Sequence, residues 1–142
     1  MADRACDLER FVSAQERDYL TALAEIRHGR KRSHWMWYIF PQLRGLGMSS
    51  TSYFYGIENL EEAKAFLDDP FLGKNLIEIS EALLSLDNSD ARSIMGSPDD
   101  LKLRSSMTLF SLAAPEEPVF KKVLEKFYLG IQDPATLRIL GL

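Results

Sequence analysis

The stretch "FLGKNLIEISEALLSL", residues 71–86, decides the fold class. Leu72, Leu76, Ile79, Leu83 and Leu86 follow one another at spacings of four, three, four and three. That rhythm puts all five on one side of a helix, and an alternating strand cannot reproduce it. A buried helix over about 71–86 is predicted.

The neighbouring segments repeat the pattern with helix-specific punctuation. Asn59 followed three residues later by Glu62 has the form of a capping box, opening a helix that carries Leu60, Ala63, Phe66 and Leu67 and ends near Asp68-Asp69-Pro70. Upstream, Leu8, Phe11, Val12, Tyr19, Leu20, Leu23, Ala24 and Ile26 recur at helical spacing, with Asp7 or a neighbour as cap and Gly29 as stop. Downstream, Ser97-Pro98-Asp99-Asp100 reads as a cap, a first-turn proline and two acids facing the positive end of a helix dipole. Pro118 begins "VFKKVLEKFYLG" with Gly130 as its stop, and Asp133-Pro134 repeats the cap-plus-proline device before "ATLRILGL".

Between these lies a less regular part. Ser33 is expected to cap a two-turn helix carrying "HWMWYIF", which Pro41 ends. Gly45 and Gly47 mark a loop, and Ser49, Ser50 or Thr51 caps a turn through Tyr53, Phe54 and Tyr55, where a strand is the alternative. No hairpin signal occurs anywhere. The expectation is an all-α single domain over 1–142, with about seven short-to-medium helices in an irregular orthogonal array rather than an up-and-down bundle.

Composition narrows the function classes. With 46% hydrophobic and 27% charged residues the chain is an ordinary globular one. Cys6 is its only cysteine, which excludes an intrachain disulfide and a cysteine-based zinc site. The amino-terminal residues lack the apolar core of a secretory signal, and no apolar run is long enough to span a bilayer, so a cytoplasmic protein without membrane association is expected. The net charge of −4 argues against nucleic acid as a partner. A local exception is the cationic cluster Arg27, Arg30, Lys31 and Arg32, set against acids concentrated at 58–69 and 116–125.

That cluster runs into aromatic residues in "GRKRSHWMWYIFPQ", residues 29–42. A helix opening at Ser33 would offer free N–H groups to an anion, with Arg30 or Lys31 completing the cradle and Trp35 or Trp37 stacking on a ring. The competing reading makes Trp35, Trp37, Tyr38 and Phe40 core residues. His34 is the candidate catalytic residue, because an imidazole beside indoles can be tuned toward neutral pH. His28 and His34 have no metal-ligand spacing, and neither a metal nor a cofactor is expected. A second constellation, "PDDLKLRSSMTLF", puts Lys102, Ser105 and Ser106 on one face. If the two constellations meet, they form a cationic, aromatic-walled pocket. No nucleophile elbow, phosphate loop or dinucleotide fingerprint is present.

The words "AEIRHGRKRSHWMWYIFPQLRGLGMS", "LEEAKAFLDDPFLG", "GSPDDLKLRSSMTLF" and "FYLGIQDPATLRIL" occur here in an order that resembles the DUF1810 family, uncharacterised bacterial and fungal domains of about this length. The resemblance implies an all-helical single domain and no established activity. The family's characteristic words coincide with Arg30, Lys31, Ser33, His34, Trp35, Trp37, Gln42, Pro98, Asp99, Lys102, Ser105, Ser106 and Thr108. The expected function is binding of a small anionic ligand, nucleotide-like or phosphorylated, with hydrolytic or transfer chemistry as its extension. The alternative is a protein-interaction module without catalysis, and the expected assembly state is a monomer or a weak homodimer.

Overall fold

The computed structural model describes residues 8–142; Cys6 and the proposed cap Asp7 lie outside the described residues. Nine helices follow one another: α1 (Glu9–Arg27), α2 (Met36–Ile39), α3 (Ser50–Phe54), α4 (Leu60–Asp68), α5 (Pro70–Ser85), α6 (Ala91–Met95), α7 (Asp99–Ala113), α8 (Val119–Tyr128) and α9 (Pro134–Leu140). The expected all-α domain is the one observed. Among the described residues the helices number nine rather than about seven, because short turns at α3 and α6 are helical. The strand alternative at 53–55 gives way to α3, and among the described residues β pairing is limited to one parallel bridge between Leu43 and Ile57.

The punctuation acts largely as expected. Asn59 Oδ1 accepts from Glu62 N–H at 2.9 Å, while the Glu62 carboxylate reaches back one residue farther than a capping box requires, to Glu58 N–H at 2.8 Å. Asp69 accepts from the N–H groups of Phe71 and Leu72, with Pro70 as the first residue of α5. Asp133 caps α9 through Thr136 N–H, again with proline following. At the end of α1 the N–H of Gly29, at φ +80°, donates to Ile26 O, and that of Arg30 donates to Glu25 O. This double closure is a Schellman motif, and its left-handed residue explains the glycine. Ser97 and Pro98 are displaced by one position from expectation, since Pro98 itself holds the cap position of α7 and Ser97 makes no cap hydrogen bond.

The core is strung along α1, α4, α7 and α8 by four buried rings. Phe11 meets Phe66 edge-on with centroids 5.2 Å apart, Phe66 meets Phe110 at 5.4 Å, and Phe110 meets Phe120 at 5.8 Å. Each such side chain contributes about 1.5–3 kcal/mol on burial. The leucine and isoleucine stripe of 71–86 is buried at Leu72, Leu76, Ile79 and Leu83, where α5 packs on α1, α4 and α8. Gly73 lets α5 turn back closely on α4: a Cβ there would stand 2.0 Å from the Leu67 carbonyl oxygen.

Two buried polar arrangements fix the irregular part. Gln15 Nε2 donates to the Tyr38 carbonyl at 2.8 Å and Asn75 Nδ2 donates to Gln15 Oε1 at 3.0 Å, tying α2 to α1 and α5. The Arg10 guanidinium pairs with Glu62 at 3.1 Å and donates to the carbonyls of Phe54 at 2.7 Å and Gly56 at 2.9 Å. Backbone bonds Arg44 N–H to Ile57 O and Ile57 N–H to Gln42 O close the intervening loop.

Candidate functional site

The basic-aromatic stretch does not open a helix at Ser33. α2 begins three residues later, at Met36, with Trp35 in the cap position and no side-chain cap. The anion that the 32–35 segment binds is the protein's own Glu25. Its Oε1 accepts from Arg32 N–H at 2.7 Å, Ser33 N–H at 3.0 Å and Trp35 Nε1 at 2.9 Å, and its Oε2 accepts from the Ser33 hydroxyl at 2.5 Å. Burial opposes the charge on Glu25, but these donors together outweigh it and bring the carboxyl down to about 2. Ser33 therefore orients a structural carboxylate rather than capping a helix.

Lys31 is likewise drawn inward. Its ammonium lies 2.9 Å from Asp99 Oδ2, 2.5 Å from the Ser33 carbonyl and 4.9 Å above the Trp35 ring, and the side chain is 8% exposed. Trp35 is buried. These residues answer the competing core reading in part: Lys31, Ser33 and Trp35 serve the architecture.

The same ion pair brings the two constellations together. Asp99, in the first turn of α7, also lies 3.7 Å from Lys102, through its other carboxylate oxygen. The Lys102 ammonium stands 5.1 Å from the centre of the Trp37 ring, within cation–π range. Trp37 and Lys102 line a narrow, nearly filled cleft with room for about one water molecule, together with Met36, Phe40, Gln42, Ser52, Tyr55 and Gly56. Pro41 ends α2 and the Leu43–Ile57 bridge pins the following backbone, which holds Gln42 at the cleft. The loop clipped by Arg10 supplies Tyr55 and Gly56.

Within that cleft the polar groups are underused. Among the described residues no hydrogen bond engages the side-chain amide of Gln42 or the hydroxyl of Tyr55, and Lys102 shares its carboxylate with a closer lysine. Convergent polar groups on apolar walls are the usual make-up of a small-molecule site.

The other expected site residues lie elsewhere. Ser105 sits within 3.1 Å of Asp133 Oδ2 and 3.2 Å of Leu101 O, at the junction of α7 and α9. Ser106 is fully buried and its hydroxyl has no partner. Neither lines the cleft. Arg30 and His34 are exposed, and neither lines it; the backbone carbonyl of His34 accepts from Tyr38 at 3.3 Å. Tyr55 is a lining residue that motif reasoning did not single out, because only the long-range bridge to Leu43 brings it there.

Two broader depressions are less suited to an anion. One, lined by Lys64, Leu67, Asp68 and Leu112–Glu116, carries two acids against one cation. The other contains Arg10 and Arg17, whose guanidinium groups already meet Glu62 and Asp18. Among the described residues no group of three potential ligands gathers to hold a metal, and no helix is long and apolar enough to cross a membrane.

Fold and cleft together define an all-helical protein with a lysine-bearing, aromatic-walled recess. The chain belongs to the DUF1810 family, proteins of unknown function, whose model matches residues 5–140. It is similar to the conserved hypothetical protein Rv1873 from Mycobacterium tuberculosis, whose crystal structure superposes with a TM-score of 0.93 at 46% sequence identity. That likeness covers 96% of this chain and 97% of the other. Comparison with curated proteins finds no match.

Proposed function

We propose that the protein binds a small anionic molecule at the mouth of the cleft between α2 and α7, with Lys102 as its electrostatic anchor. The single observation that carries this reading is the placement of Lys102 above Trp37 at 5.1 Å while Asp99 is more tightly committed to Lys31. Two ammonium groups share the Asp99 carboxylate, and that of Lys102 is the less tightly held. Trp37 holds it in place without neutralising it, because the ring offers a quadrupole rather than a charge. Gln42 and Tyr55 supply neutral hydrogen-bonding groups, and Met36 and Phe40 an apolar wall. Catalysis at His34 finds no support in this geometry.

A thermal-shift panel of carboxylates, phosphates, sulfonates and nucleotides tests the reading. A ligand present at about one hundred times its dissociation constant stabilises by about 2.7 kcal/mol. The expected result is at least one hit that Lys102→Met removes; a panel without any Lys102-dependent hit contradicts the proposal.

The alternative, a protein-interaction module, rests on α3. None of its residues is buried, and Tyr53, Phe54 and the preceding Met48 are largely exposed. Concentration-dependent sedimentation of the wild type and of Phe54→Ser tests it: self-association lost in the variant favours this reading, and a monomer at all concentrations removes self-association from it.

A further inference from the structure

We infer that the depression between the last turns of α4 and α7 binds a small aliphatic amine in its ammonium form. It shares no lining residue with the cleft beside Trp37. Its free volume is about 390 Å³, within the roughly 300–1,000 Å³ typical of small-molecule sites.

Two helix ends set its electrostatics. α4 stops at Asp68 and α7 at Ala113, and two residues beyond each stop stands a proline, Pro70 and Pro115. Proline has no N–H to give to the carbonyls left over at a helix end, where the negative pole of the dipole lies. No hydrogen bond among the described residues reaches Leu112 O or Ala113 O. The side chains add to this field. Asp68 and Glu116 line the depression, both exposed, and neither is paired with Lys64, the cation beside them. Asp69 and Glu117 flank it with further negative charge, and their carboxylates accept from the opening N–H groups of α5 and α8.

The end of α5 shows what chemistry meets such a terminus. There the Lys126 ammonium donates to the carbonyls of Leu83 at 3.0 Å and Leu84 at 3.1 Å, and to that of Leu86. No side chain of the described residues does the same for α4 or α7. The walls choose among cations. Leu67, Leu112 and Pro115 offer aliphatic surface to an alkyl chain, and no aromatic ring is present to stack a guanidinium or enclose a quaternary ammonium. An ammonium also spreads its three donors over acceptors arriving from two elements, whereas a guanidinium fork matches both oxygens of one carboxylate. A divalent metal asks for more ligands than the two carboxylates here, and no group of three gathers among the described residues.

The test is a titration of the full chain at low salt, followed by backbone amide resonances, with pentylamine, its neutral isostere pentanol, N-acetyl-lysine methylamide and calcium chloride. Pentylamine is expected to move the signals of Asp68, Leu112 and Glu116 saturably, with pentanol at least about tenfold weaker. Asp68→Asn and Glu116→Gln, both at exposed positions outside the core, are each expected to weaken the amine by about two- to fivefold, and Lys64→Gln to strengthen it by a similar factor. An amine that does not bind, that binds no better than pentanol, or that is indifferent to both acid variants overturns the inference. Tighter binding of calcium at the same residues overturns the organic ligand in favour of a metal. Tighter binding of the lysine derivative overturns the free amine in favour of a partner protein's lysine.

Discussion

Lys31 and Asp99 form an ion pair at 2.9 Å between the segment before α2 and the first turn of α7, with side chains 8% and 18% exposed. The pair joins the two stretches that line the cleft, and it leaves Lys102 with the longer contact to the shared carboxylate. Lys31 also bonds the Ser33 carbonyl, whereas Lys102 meets the same carboxylate only at 3.7 Å.

Lys31→Ala is therefore expected to lower stability, by about 1.5–3 kcal/mol, since it removes the nearer cation and its charge-assisted bond from a largely buried carboxylate that keeps only the longer contact with Lys102. Chemical denaturation measures it. Lys102→Met is expected to leave the midpoint almost unchanged, and equal losses in the two variants contradict the assignment of roles.

Glu25 makes stability depend on pH. Its carboxyl is depressed from the ordinary 4.5 to about 2 in the folded protein, so the unfolded chain binds the proton first as pH falls. The stabilisation is complete above about pH 4.5 and is lost progressively between there and about pH 2. Glu25→Gln is expected to be less stable at neutral pH and to lack this acid limb. Urea midpoints measured against pH for both proteins check the sign.

Gly73→Ala reverses the usual helix rule. Alanine in a helix interior normally gains up to about 1 kcal/mol over glycine. Here its Cβ would press on the Leu67 carbonyl oxygen, built at 2.0 Å, and overpacking of this kind costs about 1–3 kcal/mol or more. A lowered melting temperature is expected, and an unchanged one contradicts the close approach of α4 and α5.

Arg10→Met couples stability to the cleft. The guanidinium holds Phe54 O, Gly56 O and Glu62, and leaving Glu62 buried without its partner costs about 3–5 kcal/mol. Amide exchange at Gly56 and Ile57 is expected to accelerate more than at α5. Uniform acceleration contradicts a local clip.

Much of the fold was legible because its signals are local. The stripe from Leu72 to Leu83, the Gly29 stop and the caps at Asn59 and Asp133 each act within a few residues of their own position. α3 and α6 were harder, because helices of five residues carry no period to detect; the cap Asp90, which accepts from Arg92 and Ser93, was the one available sign of α6. Ser33 was misplaced for a different reason. Its short-range cap signal is overridden by Glu25, which reaches it from the last turns of α1, and only folding brings that carboxylate to the segment. The cleft was half legible: Trp37, Gln42 and Lys102 meet, while Ser105 faces Asp133 and Ser106 is buried. Helical phase places residues on a face, but not opposite a particular partner.

The two tryptophans allow the most direct test. Trp35 is buried with its Nε1 proton on Glu25, and Trp37 lines the cleft beside Lys102. In titrations with each anion of the thermal-shift panel followed by the two indole N–H resonances, the Trp37 signal is expected to move in a saturable manner with at least one of them while Trp35 stays near its place, and Lys102→Met should abolish the movement. Two unmoved resonances, or a Trp37 shift that persists without Lys102, contradict a lysine-anchored anion site in this cleft.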